Sequence, residues 1–412
     1  MKKLFILVLA LSMVLAGCAS GTQPAETSGN DQGGPAPVEV AQGIHEDKIV
    51  VGTTGAQQGP LAFIGKPYFD GMKAYIQMVN EDGGVAGKEI ELIVLEDEFK
   101  PENSIANVQK LIDDEEVFAL VGLFGTPGVK ASIPLVQEAG VPAVYFATGA
   151  TAPTRAGENF FPVQPNYFYE GKLMSQYALE YFKSKKVAVI YRSDDVGLDG
   201  LDGIREGLKL QDRTDALVAD LSFDAGATDF TAQVAKVKDS GADLVISYGL
   251  SGGLSGVLKE MEKVGLHDMP VIAPYPNVSD SFIAANKEAA PTVIENLYGM
   301  GWVDMTRPAV EDMVAAMTKY YPDSAVNAYT ISGWIAAETF VKGLELADQQ
   351  VGVDNLSWEA YIDAMETLEY TEGIIPRIAY APDERNGVVN MTLTEVEGDT
   401  WVNRTDYLEF KK

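Results

Sequence analysis

From Lys48 onward, short apolar runs alternate with longer stretches in which apolar residues recur every three or four positions. The repeat is roughly 25 to 30 residues long, the rhythm of a strand followed by a helix that returns the chain to a parallel neighbour. Lys48 to Thr53 reads as the first strand. Met72, Tyr75, Ile76 and Val79 then fall at i, i+3, i+4 and i+7, one face of a helix that stops at Gly83-Gly84. Glu89 to Leu95 is the next strand, and Pro101 opens a helix with Ile105, Val108 and Leu111 or Ile112 on its inner face. Phe118 to Phe124 and Pro142 to Phe146 complete this half.

After Pro165 the alternation restarts, with strands at Val187 to Tyr191, Leu217 to Phe223, Leu244 to Tyr248 and Pro270 to Ala273. Two such halves in series predict an α/β protein of two doubly wound parallel-sheet domains. Late helices are expected at Pro308 to Tyr321 and at Ala328 to Leu346, where Trp334, Ala337 and Phe340 keep a helical face. Residues with unusual backbone or hydrogen-bonding capacity cluster just after strands: Thr53-Thr54-Gly55, Gly125-Thr126-Pro127-Gly128 and Thr148-Gly149-Ala150-Thr151 in the first half. The second half adds Asp194-Asp195-Val196-Gly197, Tyr248-Gly249-Leu250 and Pro274-Tyr275-Pro276. Ligands of open α/β sheets bind at the carboxyl ends of the strands, so each half offers a binding face. Glycine backbone, threonine hydroxyls and the positive ends of the following helices together suit a small carboxylate, without a buried arginine.

The N-terminus is a different material. Lys2-Lys3, the apolar stretch Leu4 to Leu15, and Leu15-Ala16-Gly17-Cys18 resemble the signal and lipobox of bacterial lipoproteins. Residues 1–17 are then a signal peptide and Cys18, the only cysteine, a lipidation site holding the protein to the extracytoplasmic face of the cell membrane. Residues 18–47 read as a flexible Gly, Pro, Ala, Ser and Thr tether with a reach of about 30 Å. The whole chain is acidic: 60 Asp and Glu against 31 Lys and Arg give −29, which disfavours nucleic acid and anionic lipid surfaces. With one cysteine and two histidines, disulfides, thiolate metal sites and histidine-based catalysis have little to draw on.

Four segments carry a family resemblance: Gly52 to Gly71, Val79-Asn80-Glu81-Asp82-Gly83-Gly84-Val85-Ala86-Gly87-Lys88, Gly125-Thr126-Pro127, and Ala147 to Pro153. The body resembles the leucine/isoleucine/valine-binding family of ABC transporter substrate-binding proteins, with a type I periplasmic-binding fold. That resemblance implies three chain crossings between domains, near Gln164, Trp302 and Gly373. The first domain is then 48–164 plus 303–372, the second 165–302 plus 373–412. It implies ligand contacts from Phe63, Phe124, Gly125, Thr126, Pro127, Thr148, Gly149, Ala150 and Thr151, and from Asp195, Tyr248 and Tyr275 across the cleft. In amino-acid binders of the family a Ser or Thr matching Thr126 and a stretch matching Gly149, Ala150 and Thr151 hold the α-carboxylate. The second domain's aromatics and glutamate are replaced here by Val196, Leu250 and Tyr275, leaving Asp195 as the nearest acceptor for an ammonium group.

Three local motifs point elsewhere. Gly59 to Lys66 resembles a phosphate loop, but Pro67 stands where Ser or Thr is needed. Asp195 to Glu206 resembles a calcium loop, yet Gly197 removes a ligand and Leu201, Ile204 and Leu208 make a helical face. Gly249-x-Ser251-x-Gly253 has the form of a nucleophile elbow, the basis of a serine-hydrolase alternative, with His267 the one histidine after it. The expected protein is a non-enzymatic lipoprotein of an ABC importer that needs no cofactor. Its partners are a small amino acid or carboxylate and the permease subunits. A sensor of the same fold, signalling to a membrane partner, is the alternative.

Overall fold

The computed structural model describes residues 40–410; Cys18, the signal segment and most of the tether lie outside the described residues. β1 (Lys48–Gly55), α1 (Ala62–Glu81), β2 (Glu89–Glu96), α2 (Pro101–Asp113), β3 (Ala119–Phe124), α3 (Thr126–Ala139), β4 (Ala143–Ala147) and β5 (Phe160–Phe161) follow in strict alternation until β5. They form a parallel sheet of order β2-β1-β3-β4-β5. α1 ends where expected, with Gly83 and Gly84 in the left-handed region after it. Residues 41–47, expected within the tether, are tied to this sheet instead. Ala41 N–H donates to Leu356 O, the Gln42 amide to Ile112 O and Val117 O, and Ile44 bridges Ile49. The compositional signal missed them because only Ala41 and Ile44 add apolar contact, and the rest of the anchoring is backbone and amide hydrogen bonding.

Next come α4 (Tyr167–Glu180), β6 (Val187–Arg192), α5 (Asp195–Leu210), β7 (Leu217–Phe223), α6 (Thr231–Ser240), β8 (Leu244–Tyr248), α7 (Ser251–Val264), β9 (Val271–Ala273), α8 (Asp280–Asn286) and β10 (Leu297–Gly301). α9 (Pro308–Tyr320), α10 (Ala328–Val351) and α11 (Trp358–Glu366) then precede the short pair β11 (Glu369–Tyr370) and β12 (Ile378–Ala379), and β13 (Thr392–Glu397) and β14 (Thr400–Asn403). The second sheet has the order β14-β13-β10-β9-β8-β6-β7, parallel except for the two late strands. The fold is therefore α/β with two doubly wound sheets.

The late helices pack back on the first sheet. α10 begins at a capping box made by Asn327 and Thr330, and it buries Trp334, Ala337 and Phe340. It crosses α1 backbone to backbone. A Cβ on Gly71 would come within 2.2 Å of Thr330 O, and one on Gly333 within 1.8 Å of Tyr68 O. α11 closes the same side, with Trp358 Nε1 donating to Phe118 O at 2.7 Å.

Candidate functional site

The loops after β3 and β4 converge. Gly125 adopts φ 88 as the residue before α3, a conformation that suits glycine, and this aims Thr126 at the neighbouring loop. Its hydroxyl meets that of Thr148 at 2.7 Å, and Thr148 accepts the Ala150 N–H at 3.1 Å. Thr126 also opens a 14-residue helix, whose positive end favours an anion beside it. Thr126 and Thr151 are half-buried, whereas Thr148, Gly149 and Ala150 are buried and Pro127 is exposed. Phe124 is buried against Tyr68 and Phe69, while Phe63 at the start of α1 is 67% exposed.

The second half meets these loops directly. Lys130 on α3 pairs with Asp195 on α5 at 2.7 Å, and the Thr151 N–H donates to Asp199, one turn further along α5, at 2.8 Å. Asp195, expected to face an ammonium group, is thus engaged by a lysine of the first half. The Thr151 hydroxyl turns to Asn166, which caps α4 by accepting from Phe168 N–H and Tyr169 N–H. Beside it a groove of about 450 Å³ runs between Thr151, Thr154, Arg155, Asn166, Tyr169 and Arg385.

Tyr248 and Tyr275 stand differently from expectation. Tyr248 is fully buried, its hydroxyl held by Tyr167 O at 3.1 Å and by the Glu170 carboxyl. It supports the wall of the cleft from behind, because its hydrogen-bonding capacity is already used. Tyr275 is 7% exposed; its ring stacks on Tyr167 and abuts Trp302, and its hydroxyl donates to Gln164, which in turn donates to Tyr145. The aromatic base of the cleft is therefore one connected hydrogen-bonded set spanning both sheets.

Sequence reasoning missed Glu170 entirely. It is completely buried in the first turn of α4, accepting the Tyr275 N–H at 2.7 Å and meeting the Tyr248 hydroxyl. Burial pushes its carboxyl up to about 8, against the pull of those two hydrogen bonds. The Tyr248 hydroxyl has one proton for two oxygen neighbours, so a protonated carboxyl completes the set. Arg192, at the end of β6, is half-buried. Its side chain is 18% exposed and paired with Asp194, and its Nε has no partner among the described residues.

Two of the three motifs that pointed elsewhere are resolved by secondary structure. Asp195 to Leu210 is one continuous helix, which leaves no calcium loop. Ser251 begins α7 and His267 lies beyond its other end, bonded to Glu262 O, so about 20 Å of helix separates a nucleophile from its base.

Two sheets whose carboxyl-end loops face one another and share hydrogen bonds define a two-lobed binding protein of the periplasmic type. Residues 48–400 match the family model described as periplasmic binding protein, and the chain belongs to that family. It is similar to an amino acid binding protein of Pseudomonas aeruginosa, 28% identical over 53% of this chain and 58% of that protein. It is also similar to Leu/Ile/Val-binding protein homolog 3 of Brucella melitensis, 26% identical over 73% and 79%, and to the leucine-specific-binding protein of Salmonella typhimurium, 25% identical over 55% and 61%. The chain thus spans less than two thirds of the length of two of these relatives. Among solved structures, a fatty acid ABC transporter substrate-binding protein from Thermomonospora curvata superposes with a TM-score of 0.77 at 18% identity, over 90% of this chain and 95% of that one. A solute binding protein from Rhodopseudomonas palustris HaA2, in complex with p-hydroxybenzoic acid, gives 0.74 at 22% identity over 89% and 98%. These two likenesses establish the fold. Among the described residues no helix is long and apolar enough to cross a membrane.

Proposed function

We propose that the protein is the solute receptor of an ABC importer, taking a small amino acid or related carboxylate between two lobes and delivering it to membrane permease subunits. The lobes are 48–164 with 303–372, and 165–302 with 373–412, hinged at the three crossings. The observation that carries this reading is the meeting of Thr126 and Thr148 at the positive end of α3, with the neighbouring Thr151 N–H held by Asp199 on α5 of the other half. A carboxylate placed there meets hydroxyls and backbone N–H groups, a charge-assisted arrangement that needs no proton transfer and no cofactor. The Pseudomonas relative is named an amino acid binding protein and the Salmonella relative a leucine-specific-binding protein, which agrees with that chemistry. Cys18, lipidated, anchors the receptor outside the cytoplasm, and its tether lets the lobes reach the permease.

Closure brings α5 onto the first lobe, and a ligand stabilises that state only by touching both sides. The test is a thermal-shift screen of the mature protein over amino acids and aromatic and aliphatic carboxylates, followed by calorimetry and small-angle scattering with the best binder. Saturable binding with a fall in radius of gyration supports the reading. Absence of binding throughout the screen, or binding without any change in shape, refutes it.

A further inference from the structure

β2 is the edge strand of the first sheet, so its carboxyl-end loop begins two strands away from Thr126. That loop nevertheless turns inward. Glu98 and Phe99 both adopt left-handed backbone, with φ 53 and 60, a conformation that non-glycine residues keep only when their surroundings enforce it. Here three hydrogen bonds do so. The Glu96 carboxylate accepts the Glu98 N–H and the Asp97 carboxylate the Phe99 N–H, each at 2.8 Å, and Asp97 O accepts the Lys100 N–H at 2.9 Å. Asp97 is itself 1% exposed and fixed by the Ser104 hydroxyl at 2.7 Å.

The consequence of this strained turn is the position of one ring. Phe99 passes the end of β1 and lies on Gly125, where an added Cβ would come within 2.4 Å of its Cε2; its centroid is 6.2 Å from that of Phe124. Gly125 is the residue immediately before Thr126, so the ring borders the place where a carboxylate would sit. It also stays 37% exposed, and an aromatic held there by two left-handed residues presents apolar surface rather than filling a core.

We propose that Phe99 is the apolar wall of the ligand site and selects carboxylates that carry an aromatic or branched aliphatic body. The assignment rests on the reading of Thr126 as the carboxylate anchor and adds the substrate class to it.

The experiment uses two pairs of probes that share a headgroup and differ in body: L-leucine with L-alanine, and phenylacetate with acetate. Binding of each is measured by calorimetry to the parent, Phe99→Ala, Phe99→Leu and Thr126→Ala. The parent should prefer the larger member of at least one pair. Phe99→Ala should weaken that member at least tenfold and the smaller one less than threefold, while Phe99→Leu, which keeps apolar area, stays within threefold for both. Thr126→Ala should weaken both members alike. Unchanged binding to Phe99→Ala, or an equal loss for both members, overturns the wall while leaving the receptor reading intact. If Phe99→Ala does not fold, a Phe99→Leu variant that loses both members equally overturns it as well. Failure of the parent to bind any probe in these pairs refutes the assignment of substrate class and returns the receptor reading to the wider screen.

Discussion

Glu170 makes the stability of this protein depend on pH in a direction opposite to that of an ordinary surface carboxylate. Its pKa is raised on folding from 4.5 to about 8, so the folded state holds the proton more tightly than the unfolded chain. Stability from this group is fully present below 4.5 and is lost as pH rises through about 8. At roughly 1.4 kcal/mol per pKa unit, holding Glu170 in the fold at pH 7.5 costs about 4 kcal/mol relative to pH 4. Glu170→Gln removes the titration and keeps the geometry. Its amide oxygen can accept the Tyr275 N–H, and its amide N–H can donate to the Tyr248 hydroxyl, as the protonated acid does. Urea unfolding followed by tryptophan fluorescence at several pH values from 5 to 8.5 reads the effect. Relative to the parent, the variant should gain about 2 to 4 kcal/mol between pH 5 and pH 8. Glu338, buried on α10 and pushed up to about 7, adds a second decline in the parent, but both proteins share it and it cancels in the difference. A difference that stays flat over that range would show that Glu170 is ionised in the fold, and the reasoning from burial would fail.

Thr126→Ala should weaken ligand binding by about 1 to 3 kcal/mol with little change in melting temperature, since it removes a hydrogen bond to a charged group; equal binding in calorimetry would remove Thr126 from the site. Lys130→Glu should shift the free protein toward the open form, seen as a larger radius of gyration, and Lys130→Glu with Asp195→Lys should restore it; no rescue would mean that the pair does not hold the lobes. Gly333→Ala, pressed against Tyr68 O, should lower stability by about 3 kcal/mol or more in urea, while an alanine at Gly59, where nothing lies within 4 Å but φ is 70, should cost only about 1 kcal/mol.

The strand and helix plan was legible because both signals are local. β7 and β8 begin and end where the apolar runs do, and the face of α10 follows from Trp334, Ala337 and Phe340. The loops after β3 and β4 were expected to meet, since they follow adjacent parallel strands, with Thr126 and Thr151 converging; the hydroxyl that reaches Thr126 is instead that of Thr148, and Thr151 turns to Asn166. Glu170 was not legible, because an acid in the first turn of a helix reads as a solvated helix start. Only the tertiary arrival of Tyr248 and Tyr275, 78 and 105 residues later, buries it. The same holds for Lys130 with Asp195, a pair that depends on how the two halves meet. Phe99 was hidden for a different reason: its position comes from two left-handed residues that carry no compositional mark.

The backbone contact between α1 and α10 also sets the order in which the protein can be made. Gly71 and Thr330 touch although about 260 residues separate them, and α10 packs on β3 and β4 as well. At roughly 5 to 20 residues per second, synthesis from the end of β5 to the start of α10 takes about 10 to 30 s. Throughout that interval the apolar face carrying Val121 and Val144 has α1 on it but lacks α10, the helix that packs beside it. The first sheet is thus encoded early and sealed late, and the nascent chain remains threadable until its final third has emerged.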